Sequence, residues 1–391
     1  MEKDGKFQQF KVYRVGGSVR DQLLGYGSND NDFVVVSARP EDMIALGFTS
    51  GTVGSSFAVF LDKNGDQYAL ARREKKDGTG YNGFKVDFDP TVTLEEDLFR
   101  RDLTCNALAQ DIGTGEIIDP FGGREDLNNR VLRHVSPAFS EDPLRVIRLA
   151  RFYARWVEFK IHPSTELLAR NLVCSGELDA LSDERFWAEL VKVFDQGGDP
   201  YRFFLFLEEI EALSKVKFFR DLFGDAADSR SRMLDARTYI SSAQAYLKVA
   251  DRLRVFVALF SSRDAKQVSS SIPTDVKVLT KNMKRMLDVN FDWNDDLSAA
   301  TEAVFSLLAS MRAFSSSNEQ VNDVILATKI AESAGGYYKV TSSMLETLAL
   351  VTRAVSSAPF SHLSGKEIGS AIAAVRAAEI KKVLEDFHEG E

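Results

Sequence analysis

A chain of 391 residues, 44% hydrophobic and 27% charged, has an ordinary globular composition but is long for a single core, so two or more modules are expected. The formal net charge of −9 excludes wrapping nucleic acid by bulk charge, so any RNA site must be a local basic surface. Two cysteines, Cys105 and Cys174, exclude a disulfide framework; residues 1–12 lack an apolar signal core, and no apolar run reaches the ~18 residues needed to span a bilayer, so a cytoplasmic protein without a membrane partner is expected.

In chain order, the first 135 residues read as mixed α/β. The apolar runs Val12–Val15, Phe33–Val36, Phe57–Leu61 and Tyr68–Ala71 sit between turn clusters and predict short strands. From about Ser136 the apolar residues recur at helical spacing, as in Leu144, Ile147, Ala150, Phe152 and Ala154. Serine-rich breaks at 261–262, 269–271 and 315–317 read as loops between helices, and no repeat of solenoid period is present. The predicted fold is α+β: a mixed-sheet head over residues 1–135, an all-α neck over 136–200, and a helical body and tail over 201–391.

The head opens with Val15-Gly16-Gly17-Ser18-Val19-Arg20-Asp21, a strand end, paired glycines and a helix that stops near Gly25. Glycines let backbone approach a phosphate closely, and a helix N-terminus adds free N–H groups and a positive dipole end. Gly17, Ser18 and Arg20 are therefore candidate nucleotide-binding residues. Eleven residues after Gly17-Ser18 comes Asp30-Asn31-Asp32, leading into Phe33-Val34-Val35-Val36. On a strand, residues two apart share a face, ~6.5–7 Å apart along the chain. Asp30 and Asp32 are thus the candidate catalytic pair and the candidate ligands of magnesium. One ion would activate an attacking hydroxyl, and another would hold a triphosphate and its leaving pyrophosphate.

The string GGSVRDQLLGYGSNDNDFVVV resembles the class II branch of the DNA polymerase beta-like nucleotidyltransferases, which contains the CCA-adding enzymes and bacterial poly(A) polymerases. The resemblance continues through Tyr68-Ala69-Leu70-Ala71-Arg72-Arg73-Glu74 and Gly80-Tyr81-Asn82-Gly83-Phe84, similar to that family's strand and flexible loop. Arg100-Arg101-Asp102-Leu103-Thr104-Cys105-Asn106-Ala107 resembles its R-R-D-x-x-x-N-A motif, which implies that Arg101 and Asn106 lie around the nucleotide sugar and phosphates. Asp119-Pro120-Phe121-Gly122-Gly123 is similar to the turn that closes the head. The likeness is dense from about residue 12 to 190 and fades beyond. One departure concerns a third acidic residue that many members carry on the strand before the loop. The matching position here is Gln67, with Asp66 beside it.

In the neck, Glu141-Asp142-Pro143-Leu144-Arg145 resembles the family's E-D-x-x-R motif. The chemistry also follows from the bases. Cytosine and adenine each present an amine donor beside a ring-nitrogen acceptor, whereas guanine and uracil present a carbonyl beside an N–H. A carboxylate accepts from the amine and a guanidinium donates to the ring nitrogen, so Asp142 and Arg145 would accept C and A and reject G and U. Their i, i+3 spacing predicts a shared helix face. Arg148 and Arg151 continue at that spacing and suit triphosphate oxygens, and with Arg155 they form a candidate basic strip for RNA. Glu184 and Arg185, in a segment similar to the family's next helix, are expected to brace the neck.

The arm differs from relatives that carry a phosphohydrolase domain behind this head, where a His-Asp pair follows an apolar helix. Leu253–Phe260 resembles that helix, but Ser261-Ser262 follows, and none of His134, His162, His362 and His388 precedes an aspartate. No phosphohydrolase activity is expected, and the arm is expected to hold RNA. Taken whole, the resemblance implies a magnesium-dependent, template-independent enzyme that adds CCA to the 3′ end of tRNA from CTP and ATP, engaging the tRNA through its 3′ end and acceptor arm. The alternatives are a poly(A) polymerase, a partial CC- or A-adding enzyme, or an inactive RNA-binding relative.

Overall fold

The computed structural model describes residues 9–27, 31–52, 58–63, 65–76, 84–87, 89–223, 237–243, 247, 249–261, 272–290, 297–315 and 319–389. Its packing divides the chain into two units, residues 1–189 with 197–216, and residues 190–196 with 217–391.

The first unit is built on a seven-stranded mixed sheet of order β3-β4-β5-β2-β1-β8-β9. Its strands are β1 (Lys11–Val15), β2 (Asp32–Val36), β3 (Thr49–Thr52), β4 (Ala58–Leu61), β5 (Gln67–Leu70), β8 (Ala109–Asp111) and β9 (Ile117–Ile118). The central strands alternate between two buried faces. Val12, Phe33 and Val35 join Met43, Phe48, Phe60, Tyr68 and Leu70 on one side. Tyr13, Val15 and Val34 join Val92, Leu98, Ala107 and Ala109 on the other. Period-2 alternation with both sets apolar is what a sheet covered on both sides requires. Tyr68 is clamped between Phe33, stacked at 4.6 Å, and the edge of Phe48 at 4.8 Å. Strands β6 (Arg73–Lys76) and β7 (Phe84–Asp87) pair separately as an antiparallel ribbon. Most of the flexible-loop motif, residues 77–83, and the Gly54–Phe57 segment lie outside the described residues.

Between the strands run α1 (Gly17–Leu23), α2 (Pro40–Ala45), α3 (Leu94–Phe99) and α4 (Gly123–Asn128). The neck follows with α5 (Leu144–Arg155), α6 (Pro163–Ser175) and α7 (Asp183–Asp195), and then α8 (Pro200–Glu209) and α9 (Ala212–Lys215). Helix α5 buries Val146, Ile147, Leu149, Ala150, Phe152 and Ala154 and ends in an aromatic cluster, Phe152 stacked on Trp156 at 5.2 Å and Phe159 tilted against Trp156 at 5.1 Å. Its partner α8 brings Phe206 to 6.0 Å from the Tyr153 ring. Helices α8 and α9 therefore pack with the head and neck, although the sequence expectation groups residues from 201 onward with the arm.

The second unit is helical throughout its described residues, with long helices at Val249–Ser261, Thr274–Asp288, Leu297–Ser310, Glu319–Ser333, Ser342–Ala354 and Gly365–Glu389. A two-pronged ion pair from Arg254 to Asp323, at 2.7 and 2.8 Å, ties the first of these to the fourth. No helix of the described residues is long and apolar enough to cross a membrane.

Candidate active site

The glycine turn is built as the sequence requires. Gly16 sits at φ +70°, ψ −126°, a region open to glycine alone, and its N–H donates to the Leu108 carbonyl at 3.0 Å. A Cβ there would stand 2.8 Å from an Arg101 Nη. The turn therefore presses directly on the R-R-D motif, which reaches it from across the sheet. From Gly17 the chain enters α1, whose first-turn N–H groups have no partner within the helix. Ser18 is buried, and its hydroxyl donates to Val15 O at 3.2 Å.

Arg20, buried on the next turn, donates to the Asn106 side-chain oxygen and pairs with Asp21 at 2.8 Å. Its guanidinium stacks near Trp156 at 4.9 Å and Phe152 at 5.2 Å. Asn106 in turn donates to Asp102 at 2.8 Å. Asp102 also takes the Leu103 N–H at 2.9 Å and the Arg148 guanidinium at 2.7 Å. Burial opposes the Asp102 charge, but Arg148, Asn106 and Arg145 outweigh it and hold the carboxyl well below the usual carboxylate range. Arg101 pairs with Asp97 at 3.2 Å and reaches Asn106 O at 3.4 Å, while its Nε is buried with no hydrogen-bond partner. Asp97 is fully buried. Burial pushes its carboxyl up, and Arg100 and Arg101 overcome that and keep it low.

Thus Gly17, Ser18, Arg20, Arg101 and Asn106 converge in one place. Asp32 opens β2 as an exposed residue, paired across the sheet with Val15 on one side and Gln67 on the other. The register places an amide, Gln67, opposite Asp32. Asp30 lies outside the described residues. Among the described residues no cluster of three metal-binding side chains forms. The one described carboxylate of the pair, Asp32, is of the kind that holds a divalent cation together with substrate phosphates.

The neck departs from the expected geometry. Asp142 and Arg145 do not share a helix face, because Asp142 lies outside α5 with extended dihedrals, φ −117° and ψ 103°. The cause is Pro143, whose ring disfavours helical backbone in the residue before it. The Asp142 carboxylate instead caps the Leu144 N–H at 3.2 Å and pairs with Arg185 at 3.1 Å. Arg145 is buried and donates to the carbonyls of Ala138 and Arg100, each at 2.6 Å, so its guanidinium is fixed where the neck meets the R-R-D segment. Arg148 is held by Asp102, and that carboxylate raises its pKa against the effect of burial. Arg151 is buried on Glu189 at 2.5 Å, its pKa lowered by burial and only partly restored by Glu189. The expected basic strip is therefore three ion-paired arginines, Arg148 on Asp102, Arg151 on Glu189 and Arg155 on Asp21 at 3.4 Å.

Asp102, Arg185 and Glu189 were not among the expected binding residues, and each holds one that was. Arg185 was expected to brace the neck, and its contact with Asp142 is of that kind. A cleft of about 420 Å³ beside α3 is lined by Arg73, Glu95, Glu96, Phe99, Arg100 and Glu141. Three carboxylates make it a poor seat for a triphosphate.

Residues 12–133 match the model of the Poly A polymerase head domain. The chain is 54% identical over 207 residues to the multifunctional CCA protein of Actinobacillus pleuropneumoniae serotype 5b, covering 52% of this chain and 49% of that one. It is 58% identical over 182 residues to the multifunctional CCA protein of Vibrio parahaemolyticus, 46% of this chain and 44% of that one. The chain thus matches about half the length of these curated relatives. Its fold is similar to that of a Thermotoga maritima CCA-adding enzyme complexed with tRNA, with TM-score 0.63, 21% identity, and coverage of 97% of this chain and 91% of that one.

Proposed function

We propose that this chain, whose residues 12–133 form a poly A polymerase head domain within the fold of the CCA-adding enzymes, adds C, C and A to the 3′ end of tRNA from CTP and ATP. The observation that carries this is the convergence on Gly16-Gly17 of Arg101, Asn106 and Arg20, with Asp32 opening the adjacent strand.

In this reading the Gly17-Ser18 backbone and Arg101 receive the triphosphate, and Arg20 and Asn106 fix the sugar end through their mutual hydrogen bond. Asp30 and Asp32 would hold magnesium, which when bound supplies Lewis-acid stabilisation of the transferring phosphate and activation of the attacking 3′-hydroxyl. Asp142 accepts from the exocyclic amine of C or A, and Arg185 holds that carboxylate in place. Arg145 donates to the ring nitrogen from a position set by two carbonyls. Arg148 bears on the phosphates while anchored to Asp102, and Arg151 acts through Glu189 to hold the neck helices together. Residues 136–200 thus read the base, and the helical arm holds tRNA without phosphohydrolase chemistry.

The test is single-nucleotide extension of tRNA lacking its 3′ CCA. CTP alone should add two residues, and CTP with ATP should add three and stop. Long adenylate tracts from ATP alone would make the protein a poly(A) polymerase, and no extension by any triphosphate would leave an RNA-binding relative.

A further inference from the structure

Arg148 pairs with Asp102 and Arg151 with Glu189, both buried carboxylates, whereas the third cation along α5 has surroundings of a different kind. Arg155, at the end of α5, pairs with Asp21 at 3.4 Å and lies over two rings, Trp156 at 5.5 Å and Tyr26 at 6.0 Å. Tyr26 is 51% exposed, a large aromatic turned to solvent where the chain leaves α1. It is held there by backbone, since its N–H donates to Asp21 O at 2.8 Å. Asp21 thus fixes both partners, Tyr26 through its carbonyl and Arg155 through its carboxylate. The Tyr26 ring is half exposed, with the Arg155 cation over it and a stacked aromatic pair, Trp156 on Phe152, on the other side of that cation's contacts.

We propose that Tyr26 and Arg155 form a shelf for an unpaired nucleotide of the RNA substrate, Tyr26 stacking a base and Arg155 meeting the adjoining phosphate. An exposed aromatic beside a guanidinium is the combination by which proteins hold single-stranded nucleic acid, because every base has a face to stack and every nucleotide a charge to meet. Placement supports it: α1 begins at the glycine cradle, and its seven residues span about 10 Å, the reach of one or two nucleotides from the reacting centre. The proposal rests on the function above for the identity of the RNA, a tRNA 3′ end, but not for the shelf itself.

Binding and turnover separate the two. Affinity for tRNA ending at its discriminator base is measured by filter retention over a salt series, with extension kinetics in parallel, for wild type, Tyr26→Ala, Tyr26→Phe and Arg155→Gln. The shelf predicts that Tyr26→Ala raises the tRNA Kd and KM about tenfold with an unchanged salt slope, while Tyr26→Phe stays near wild type. Arg155→Gln should reduce the slope of log affinity against log salt by about one contact. The KM for CTP should not move in either Tyr26 variant. If Tyr26→Ala binds tRNA as wild type does, or weakens CTP and tRNA alike, the shelf is overturned. If Tyr26→Ala loses RNA affinity while the wild type extends no tRNA, the shelf stands and the proposed reaction falls.

Discussion

The cradle in the head and the neck segment proposed to read the base both rely on arginines and carboxylates, yet they are assembled in opposite ways. In the cradle, glycine geometry decides. Gly16 admits Arg101 because it has no Cβ, and Arg20 and Asn106 close on each other directly. In the neck, ion pairing decides. Arg148, Arg151 and Asp142 are each turned by a charge from a distant segment, Asp102, Glu189 and Arg185. A phosphate site can be specified by a few contiguous residues that shape the backbone. Side chains that must be held against their own flexibility, as in the neck, take their supports from elsewhere in the chain.

The largest expected effect breaks the head alone. Asp32→Ala should lower nucleotide transfer by about three orders of magnitude, the scale of several kcal/mol of metal-assisted stabilisation, while tRNA affinity stays within about twofold. Transfer near the wild-type rate would remove Asp32 from the chemistry and leave the cradle a binding site only.

Next comes Gly16→Ala, which attacks the cradle through its backbone. A side chain at φ +70°, 2.8 Å from Arg101, must strain the turn or displace the guanidinium, so stability should fall by about 1–3 kcal/mol and CTP affinity should weaken with it. Thermal melts and nucleotide binding measure both. An unchanged melting temperature and unchanged CTP binding would mean that Arg101 is free to move and the two motifs are not locked together.

How much of this could be read in the sequence follows the same division. The central strands lie where the apolar runs put them, α1 stops near Gly25 as expected, and Gln67 stands opposite Asp32 by register. These are local signals, set by pattern and by glycine. The neck arginines were legible as residues but not as geometry. Glu189 is thirty-eight positions from Arg151 and Asp102 forty-six from Arg148, and nothing in helical spacing selects them. The Asp142–Arg145 spacing misled for a different reason. Pro143 between them signals that Asp142 leaves the helix, and backbone restriction outranks periodicity there.

A smaller effect concerns the junction where the two regions meet. The Asp102 carboxyl titrates below its ordinary 3.8 in the folded protein, so the unfolded chain binds the proton first as pH falls. Its contribution to stability is therefore full above about pH 4 and lost as pH drops further. Asp102→Asn should lower the neutral melting temperature and flatten the acid limb of the stability curve. An acid limb as steep as wild type would show that other carboxylates, Asp97 among them, dominate it.

The account stands most directly on the claim that the protein itself reads the base through Asp142, set in place by Arg185. The measurement is incorporation of each of the four triphosphates onto tRNA ending in the discriminator base and onto tRNA ending in CC, by wild type, Asp142→Ala and Arg145→Ala. The account predicts that wild type takes CTP and then ATP, and that either variant loses about tenfold to a hundredfold of its preference over UTP and GTP while CTP is still bound. Wild-type preference retained in both variants would contradict it, leaving Asp142 as no more than the anchor of Arg185.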